Sequence, residues 1–313
     1  MYIDEVEKLK NTISSQLQTS ALSYYKIGMD AFHQSKDDWP TFQPAIGTLS
    51  ISVELTLKAI ICKKSIGMLY SNLTEEAKML LCYPEIFTGE HILQRCLVDI
   101  KSSRYKSIEF NKAIALCYII FPSLKQNYKA FLKFLSEIRN NSVHLTVPNF
   151  QRYQLERIAY YTTKLFITID TLSLFDSYNL FHTSEKTKIF LDSYKESKIK
   201  KVERSIASAK EKIKKGDISE QGCDEAVFSG NWQVMCGECP VCGLTATFFG
   251  DTDEILYKNF LPPELIFSCE SFECGVCGLT LDDIEEIKLA GLETEFNRSD
   301  EVEEWVGEYP YYN

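Results

Sequence analysis

The chain has 313 residues, 45% hydrophobic and 25% charged, which is ordinary globular composition for about two domains of roughly 100–200 residues each. Its 34 basic and 44 acidic groups sum to −10, and taken whole that balance argues against nucleic acid as a partner. With 19 Phe and 17 Tyr, the chain is too apolar to be mostly disordered.

The charge is unevenly spread. Residues 216–313 hold 22 Asp/Glu against Lys258, Lys288 and Arg298, a net of −19. Residues 1–215 hold 31 basic and 22 acidic groups, a net of +9. A basic body joined to an acidic module is the pattern. The charged start, Met1-Tyr2-Ile3-Asp4-Glu5, lacks the apolar core of a secretory signal, so a cytoplasmic protein with reduced cysteines is expected. Apolar runs such as Ala113–Phe121 are about half the ~20 residues of a membrane span, so no membrane partner is expected.

In chain order, Val6, Leu9, Ile13, Leu17 and Ala21 mark a first helix reaching toward His33, with Asp37-Asp38-Trp39-Pro40 as its stop. A second helix fits Ala45 to Ser65. Thr74-Glu75-Glu76 starts a short helix ending near Cys82. Further helices fit about 89–101, 107–121, 123–140 and 149–175. From Ser184 to Lys215 large apolar groups thin out, and a weak stripe (Ile189, Tyr194, Ile199, Val202, Ile206, Ile213) predicts a solvent-rich connecting helix. Glycines, paired cysteines and short β-like runs, Leu244–Phe249 and Glu264–Phe267, follow.

Seven of the 11 cysteines fall between residues 223 and 277. Cys239-Pro-Val-Cys242-Gly-Leu-Thr and Cys274-Gly-Val-Cys277-Gly-Leu-Thr are nearly one heptapeptide twice. Two thiolates spaced this way grip one Zn²⁺, and the glycine allows the tight turn beneath the sulfurs. Two grips close a tetrahedral shell, so Cys239, Cys242, Cys274 and Cys277 are expected to hold a structural zinc with no open catalytic position. Cys236 and Cys269 lie near enough in sequence to substitute as ligands, and Cys223 has no assignment. The segment resembles a zinc ribbon. Its acidity disfavours phosphate, so it reads as an interaction module for a regulatory protein or sensor, or as a dimerisation module. Cys62, Cys82, Cys96 and Cys117 read as small buried hydrophobes.

An amphipathic helix over 131–138 runs into Arg139-Asn140-Asn141-Ser142-Val143-His144. Earlier, Glu54-Leu55-Thr56-Leu57-Lys58 places an acid before a Leu and a Lys on a helix, and Gly89-Glu90-His91-Ile92-Leu93 opens another. In this order, over about residues 1–180, these three features resemble the HEPN superfamily. These are helical bundles, many of them metal-independent ribonucleases marked by Arg, a polar residue and a later His. The resemblance implies an endoribonuclease of the toxin or anti-phage (abortive infection) kind. It would act as a homodimer on RNA, tRNA among the classes, with Arg139, Asn140, His144 and Glu54 at the site. His91 reads better as a helix-start residue, and His33 and His182 have no partner in sequence. In the toxin subfamily modified by a nucleotidyltransferase, a Tyr stands two residues after the His; here it is Thr146, which does not support that route.

The chemistry stands beside the resemblance. RNA cleavage through its own 2′-hydroxyl needs a group that exchanges a proton near neutral pH, which suits histidine, and a cation for the charge on phosphorus, which suits arginine. No catalytic metal is required. Asn140 and His144 share a helix face, but Arg139 lies about 140° from His144 on an ideal helix. Convergence therefore needs a loosened helix over Asn140–Ser142 or a partner subunit. The fold expectation is mainly α: an all-helical HEPN-like bundle (1–183), a connecting helix (184–215) and a small β-containing four-Cys zinc ribbon with an acidic tail (216–313). The rival reading is a non-catalytic helical module that binds RNA or protein.

Overall fold

The computed structural model describes residues 2–83, 95–96, 98–100, 105–143, 150–174, 184–219, 223, 233–255 and 264–299. These are mainly helical, with a small antiparallel sheet toward the C-terminus. They divide into two compact units, Met1–Lys188 and Ile189–Asn313.

The first unit is built on α1 (Tyr2–Gln34) and α2 (Trp39–Lys64). Asp38, in extended conformation, accepts from Thr41 N–H and caps α2. The sequence reading made Pro40 a break. Instead it occupies the first turn of α2, where a missing N–H costs nothing, so the helix begins six residues before Ala45. The two helices approach closely at Gly28, where a Cβ would stand 2.8 Å from the Leu49 side chain. Leu22, Tyr25, Met29 and Phe32 from α1 are buried, as are Phe42, Leu49, Val53 and Leu57 from α2.

The other helices of this unit are α3 (Glu75–Cys82), α4 (Phe110–Ile120), α5 (Pro122–Val143) and α6 (Arg152–Thr171). Thr74 caps α3 by accepting from Ala77 N–H. The helix expected over about 89–101 falls largely outside the described residues, of which 95, 96 and 98–100 are helical. His91 lies outside them too. The Tyr25 hydroxyl meets Thr163 Oγ1 at 3.0 Å, tying α1 to α6, and burial pushes that phenol up to about 12. Cys117 Sγ donates to Leu57 O and ties α4 to α2. Burial holds Cys62 and Cys117 near 12, so both behave as inert small hydrophobes; Cys96 is buried as well and Cys82 half-buried. Among the described residues, α2 alone is long and apolar enough to cross a membrane, and 72% of that stretch is buried inside the unit. Its apolarity is interrupted by single polar residues, which a search for unbroken runs passes over.

The second unit pairs α7 (Glu185–Lys215) with a sheet of β1 (Val234–Glu238), β2 (Thr245–Ile255), β3 (Glu264–Glu273), β4 (Thr280–Leu281) and β5 (Glu295–Asn297). A short helix, α8 (Ile284–Leu289), lies between β4 and β5. Strand order is β1-β2-β3-β4, with β5 also on β3, and every pairing is antiparallel. The stripe on α7 is not solvent-rich along its length. Val202 and Ala209 are buried, and Ile206 and Ile213 pack beside them, in one core with Phe248, Phe267, Phe272, Leu279 and Ile287.

With α7 in this core, the chain divides between Lys188 and Ile189, inside the expected connecting helix 184–215. That division also changes the charge argument. Met1–Lys188 holds 22 basic and 18 acidic groups (+4), and Ile189–Asn313 holds 12 and 26 (−14). The first unit's net positive charge is therefore about half of what a division at residue 216 gives it, +4 against +9.

Polar contacts fasten α7 as well. Glu286, 1% exposed at its side chain, accepts from Lys198 at 2.6 Å and Lys201 at 2.8 Å, and Lys198 also pairs with Asp283. Burial alone would raise the Glu286 carboxyl. The bonds from Lys198, Lys201 and Asp282 N–H outweigh that and hold it below the usual value. A lowered carboxyl stabilises fully above its unfolded value of about 4.3, and the contribution fades as pH falls through the folded value. Glu286→Gln should cost the second unit about 3 kcal/mol at pH 7, because it leaves Lys198 largely buried with one carboxylate fewer. The penalty should shrink below about pH 4. Denaturation of the variant at several pH values, read on the strand signal, checks both.

Candidate functional sites

Two clusters in the described residues have chemistry to offer, one in each unit.

In the first unit, α2, α4 and α5 meet around Glu54. Its Oε2 accepts from Arg139 Nη2 at 2.5 Å and its Oε1 from Lys58 Nζ at 2.6 Å. Lys58 is one turn along α2, so that bond is local. Arg139 is 85 residues away and reaches Glu54 only because α5 crosses α2. The Arg139 guanidinium lies over the Phe110 ring at the start of α4, 5.2 Å from its centroid. Ser136, one turn back on α5, donates to Asn111 Oδ1 and fastens α5 to α4 a second time.

Before α4 the chain is held by Ile108 N–H donating to Leu69 O at 2.9 Å and by a bridge from Tyr70 to Ser107. This fixes Ser107 where its hydroxyl accepts from Lys58 Nζ at 3.0 Å. A cavity of about 420 Å³ opens between these elements, lined by Glu54, Lys58, residues 107–111, Arg139 and Asn140.

Three of the four expected site residues, Glu54, Arg139 and Asn140, thus line one cavity. His144 lies outside the described residues, and so does Thr146. The expected loosening over Asn140–Ser142 is not observed: α5 stays helical to Val143. Local unwinding there therefore does not turn Arg139 toward the following residues. Lys58, Ser107, Phe110 and Asn111 are site-lining residues the sequence reading missed. Lys58 had a signal, since it stands four residues after Glu54 on a helix with an acid at that spacing. The others had none, because their place depends on the crossing of α4 and α5.

In the second unit the sulfurs of Cys239, Cys242, Cys274 and Cys277 lie within 4.8 Å of one another. Cys239 and Cys277 are 3.6 Å apart, as are Cys242 and Cys274. A tetrahedral ion with metal–sulfur bonds of about 2.3 Å sets its sulfurs roughly 3.8 Å apart, so these four residues fit a metal ion.

Each knuckle has the same backbone. Cys239 N–H donates to Leu244 O and Gly243 N–H to Cys239 O; Cys274 N–H donates to Leu279 O and Gly278 N–H to Cys274 O. Gly243 and Gly278 have φ of +72° and +70°, a region that strains any residue with a Cβ. The knuckles differ in cover. Leu279 is fully buried, and Lys212 of α7 lies against Gly278, whereas Leu244 is 51% exposed. Burial pushes the Cys239 thiol up and Cys277 to about 11, so gathering four thiolates here calls for a cation.

Neither suggested substitute is a ligand. Cys236 forms a disulfide with Cys223, their Cα atoms 5.8 Å apart, and Cys269 is buried in the sheet core. The expectation that all cysteines are reduced is therefore corrected at this pair; Cys223, outside any strand, is also held by its N–H donating to Thr245 O at the start of β2. No protein family, curated protein or solved structure matches the chain.

Proposed function

We propose that this protein is a metal-independent endoribonuclease of HEPN type, acting as a homodimer in a toxin or anti-phage role. The observation that carries this reading is the Glu54–Arg139 ion pair, which gathers two motifs separated by 85 residues at one cavity with Asn140. In this reading Arg139 stabilises the charge on phosphorus. A guanidinium presents its N–H groups as a planar fork that matches two phosphate oxygens.

His144 takes the 2′-hydroxyl proton as the 2′-oxygen bonds to phosphorus and the bond to the 5′-oxygen breaks. His144 returns that proton to the departing 5′-oxygen, giving a 2′,3′-cyclic phosphate and a 5′-hydroxyl. Asn140 binds a phosphate oxygen or orients His144, and Glu54 holds the guanidinium in place. Two copies facing each other would let Arg139 of one meet His144 of the other, which an unbroken α5 makes the better route.

We further propose that the four-cysteine cluster holds zinc, which supplies a closed structural cross-link and takes no part in catalysis. The acidic unit would then serve a regulatory protein or sensor.

The test is cleavage of total RNA or tRNA by purified protein in excess EDTA. Wild type should cleave and leave cyclic-phosphate ends, and His144→Ala and Arg139→Ala should not, with helical signal and dimer retained. If wild type leaves RNA intact after phage challenge as well as in vitro, the non-catalytic binding module replaces this reading.

A further inference from the structure

The cavity beside Arg139 extends well past the ion pair, along Ser107 and Asn111, and these two residues are set up in the same unusual way. Each already accepts one hydrogen bond from within the protein. Ser107 Oγ accepts a hydrogen bond from Lys58 Nζ, and Asn111 Oδ1 accepts one from Ser136. Each also carries donors for a third group, the Ser107 O–H and the Asn111 amide N–H groups. Both residues are exposed at the wall.

Beneath them Lys58 is 9% exposed at its side chain and is held by Glu54 and Ser107 together. Of the two carboxylates on the wall, Glu54 has both oxygens engaged by cations, and Glu109 is exposed to solvent. The wall thus offers donors and the Lys58 ammonium to a ligand made of acceptors. Among ligands with that chemistry, a phosphate fits best, because it accepts on every oxygen and carries charge.

We propose that this part of the cavity is a phosphate subsite formed by Lys58, Ser107 and Asn111, taking the phosphodiester next to the scissile one. This rests on the nuclease reading for the word scissile, though the subsite itself would stand without it. Its consequence is a substrate requirement: RNA must carry a phosphate one nucleotide away from the cleaved bond to be held in register.

The experiment uses the full-length protein and non-cleavable 2′-O-methyl dinucleotides with no terminal phosphate, a 5′-phosphate or a 3′-phosphate, with binding measured by calorimetry. One phosphorylated form should bind about tenfold more tightly than the plain dinucleotide, as expected for a charge-assisted contact. Asn111→Asp keeps the acceptor that Ser136 needs and replaces the amide donors by a carboxylate, so the fold is undisturbed. That variant should lose the tenfold ratio between phosphorylated and plain dinucleotide, and Ser107→Ala should lose part of it.

No gain in wild type overturns the subsite, and so does a gain that survives both substitutions. Inorganic phosphate binding as tightly as the phosphorylated dinucleotide would also overturn it, since the pocket would then serve a free anion. If RNA is never cleaved but the gain is present and Asn111-dependent, the subsite stands and the nuclease reading falls. Cleavage without a gain gives the reverse.

Discussion

Stripping the metal from the four-sulfur site, or replacing Cys277 by Ala, should unfold the second unit and leave the first one helical. The sheet of this unit is small and its strands β4 and β5 are two and three residues long. Both knuckles enter its core, with Cys239, Cys274 and Cys277 buried among Phe248, Phe272 and Leu279. Structural zinc contributes about 10–16 kcal/mol of binding free energy to such sites, more than a unit of this size holds in reserve.

Burial favours the neutral thiol at Cys239 and Cys277, so without a cation nothing holds the four sulfurs together by charge. Hydrogen exchange after chelation should show β2 and β3 losing protection along with the part of α7 from Val202 to Ile213. The first unit, including α2 and α6, should keep its protection. One metal equivalent per chain should be released as this happens. Full protection of β2 and β3 in protein freed of metal would show that the site is not structural.

Glu54→Ala should produce the largest loss of stability among substitutions in the first unit's cavity. Glu54 is the common partner of two cations, and Lys58 has almost no access to water. Removing the carboxylate leaves an ammonium with Ser107 alone, at a cost of about 3–5 kcal/mol, read by chemical denaturation on the helical signal. Glu54→Gln retains an acceptor for one cation and should cost less.

The catalytic expectation is separable. Arg139→Ala removes the cation that meets phosphorus and should lower cleavage about 10²–10³-fold. Once Arg139 is gone, the further loss on removing Glu54 should be small, because in this reading Glu54 acts only by holding that guanidinium. A double variant in which the two losses multiply would assign Glu54 an independent role. Glu54→Ala with unchanged stability would show that the pair is not holding α5 to α2.

Much of the first unit could be read from periodicity, and the reason is local. Apolar residues recur every three or four positions on α1, α2, α5 and α6, so hydrophobic burial and helix geometry agree over ten or more residues. Capping at Thr74 is equally local, one side chain bonding a backbone group three residues on. The misread start of α2 has the same origin: proline is a breaker inside a helix and a favoured residue in its first turn, and only the cap at Asp38 distinguishes the two.

In the second unit the hairpin positions of both knuckles followed from the repeated heptapeptide. β1, β5 and α8 left no clear signal, because three to six residues are too few for a period to show.

By itself the sequence determined that the chain has a helical basic part and a cysteine-rich acidic part, and that Cys239, Cys242, Cys274 and Cys277 form two grips. Both properties belong to short stretches of chain. It also placed Glu54, Arg139 and Asn140 under suspicion before anything was known of their distance.

Only the tertiary structure decided that Glu54 and Arg139 touch, that Ser107 and Asn111 share their cavity, and that Cys236 pairs with Cys223. It also decided that α7 belongs with the sheet. A stripe as sparse as Val202, Ile206, Ala209 and Ile213 looks solvated on a lone helix, and becomes a core face only when β-strand aromatics cover it. The physical reason is common to all of these. Spacing within one element fixes which residues share a face, while the partner of that face is chosen by packing between elements far apart in the chain.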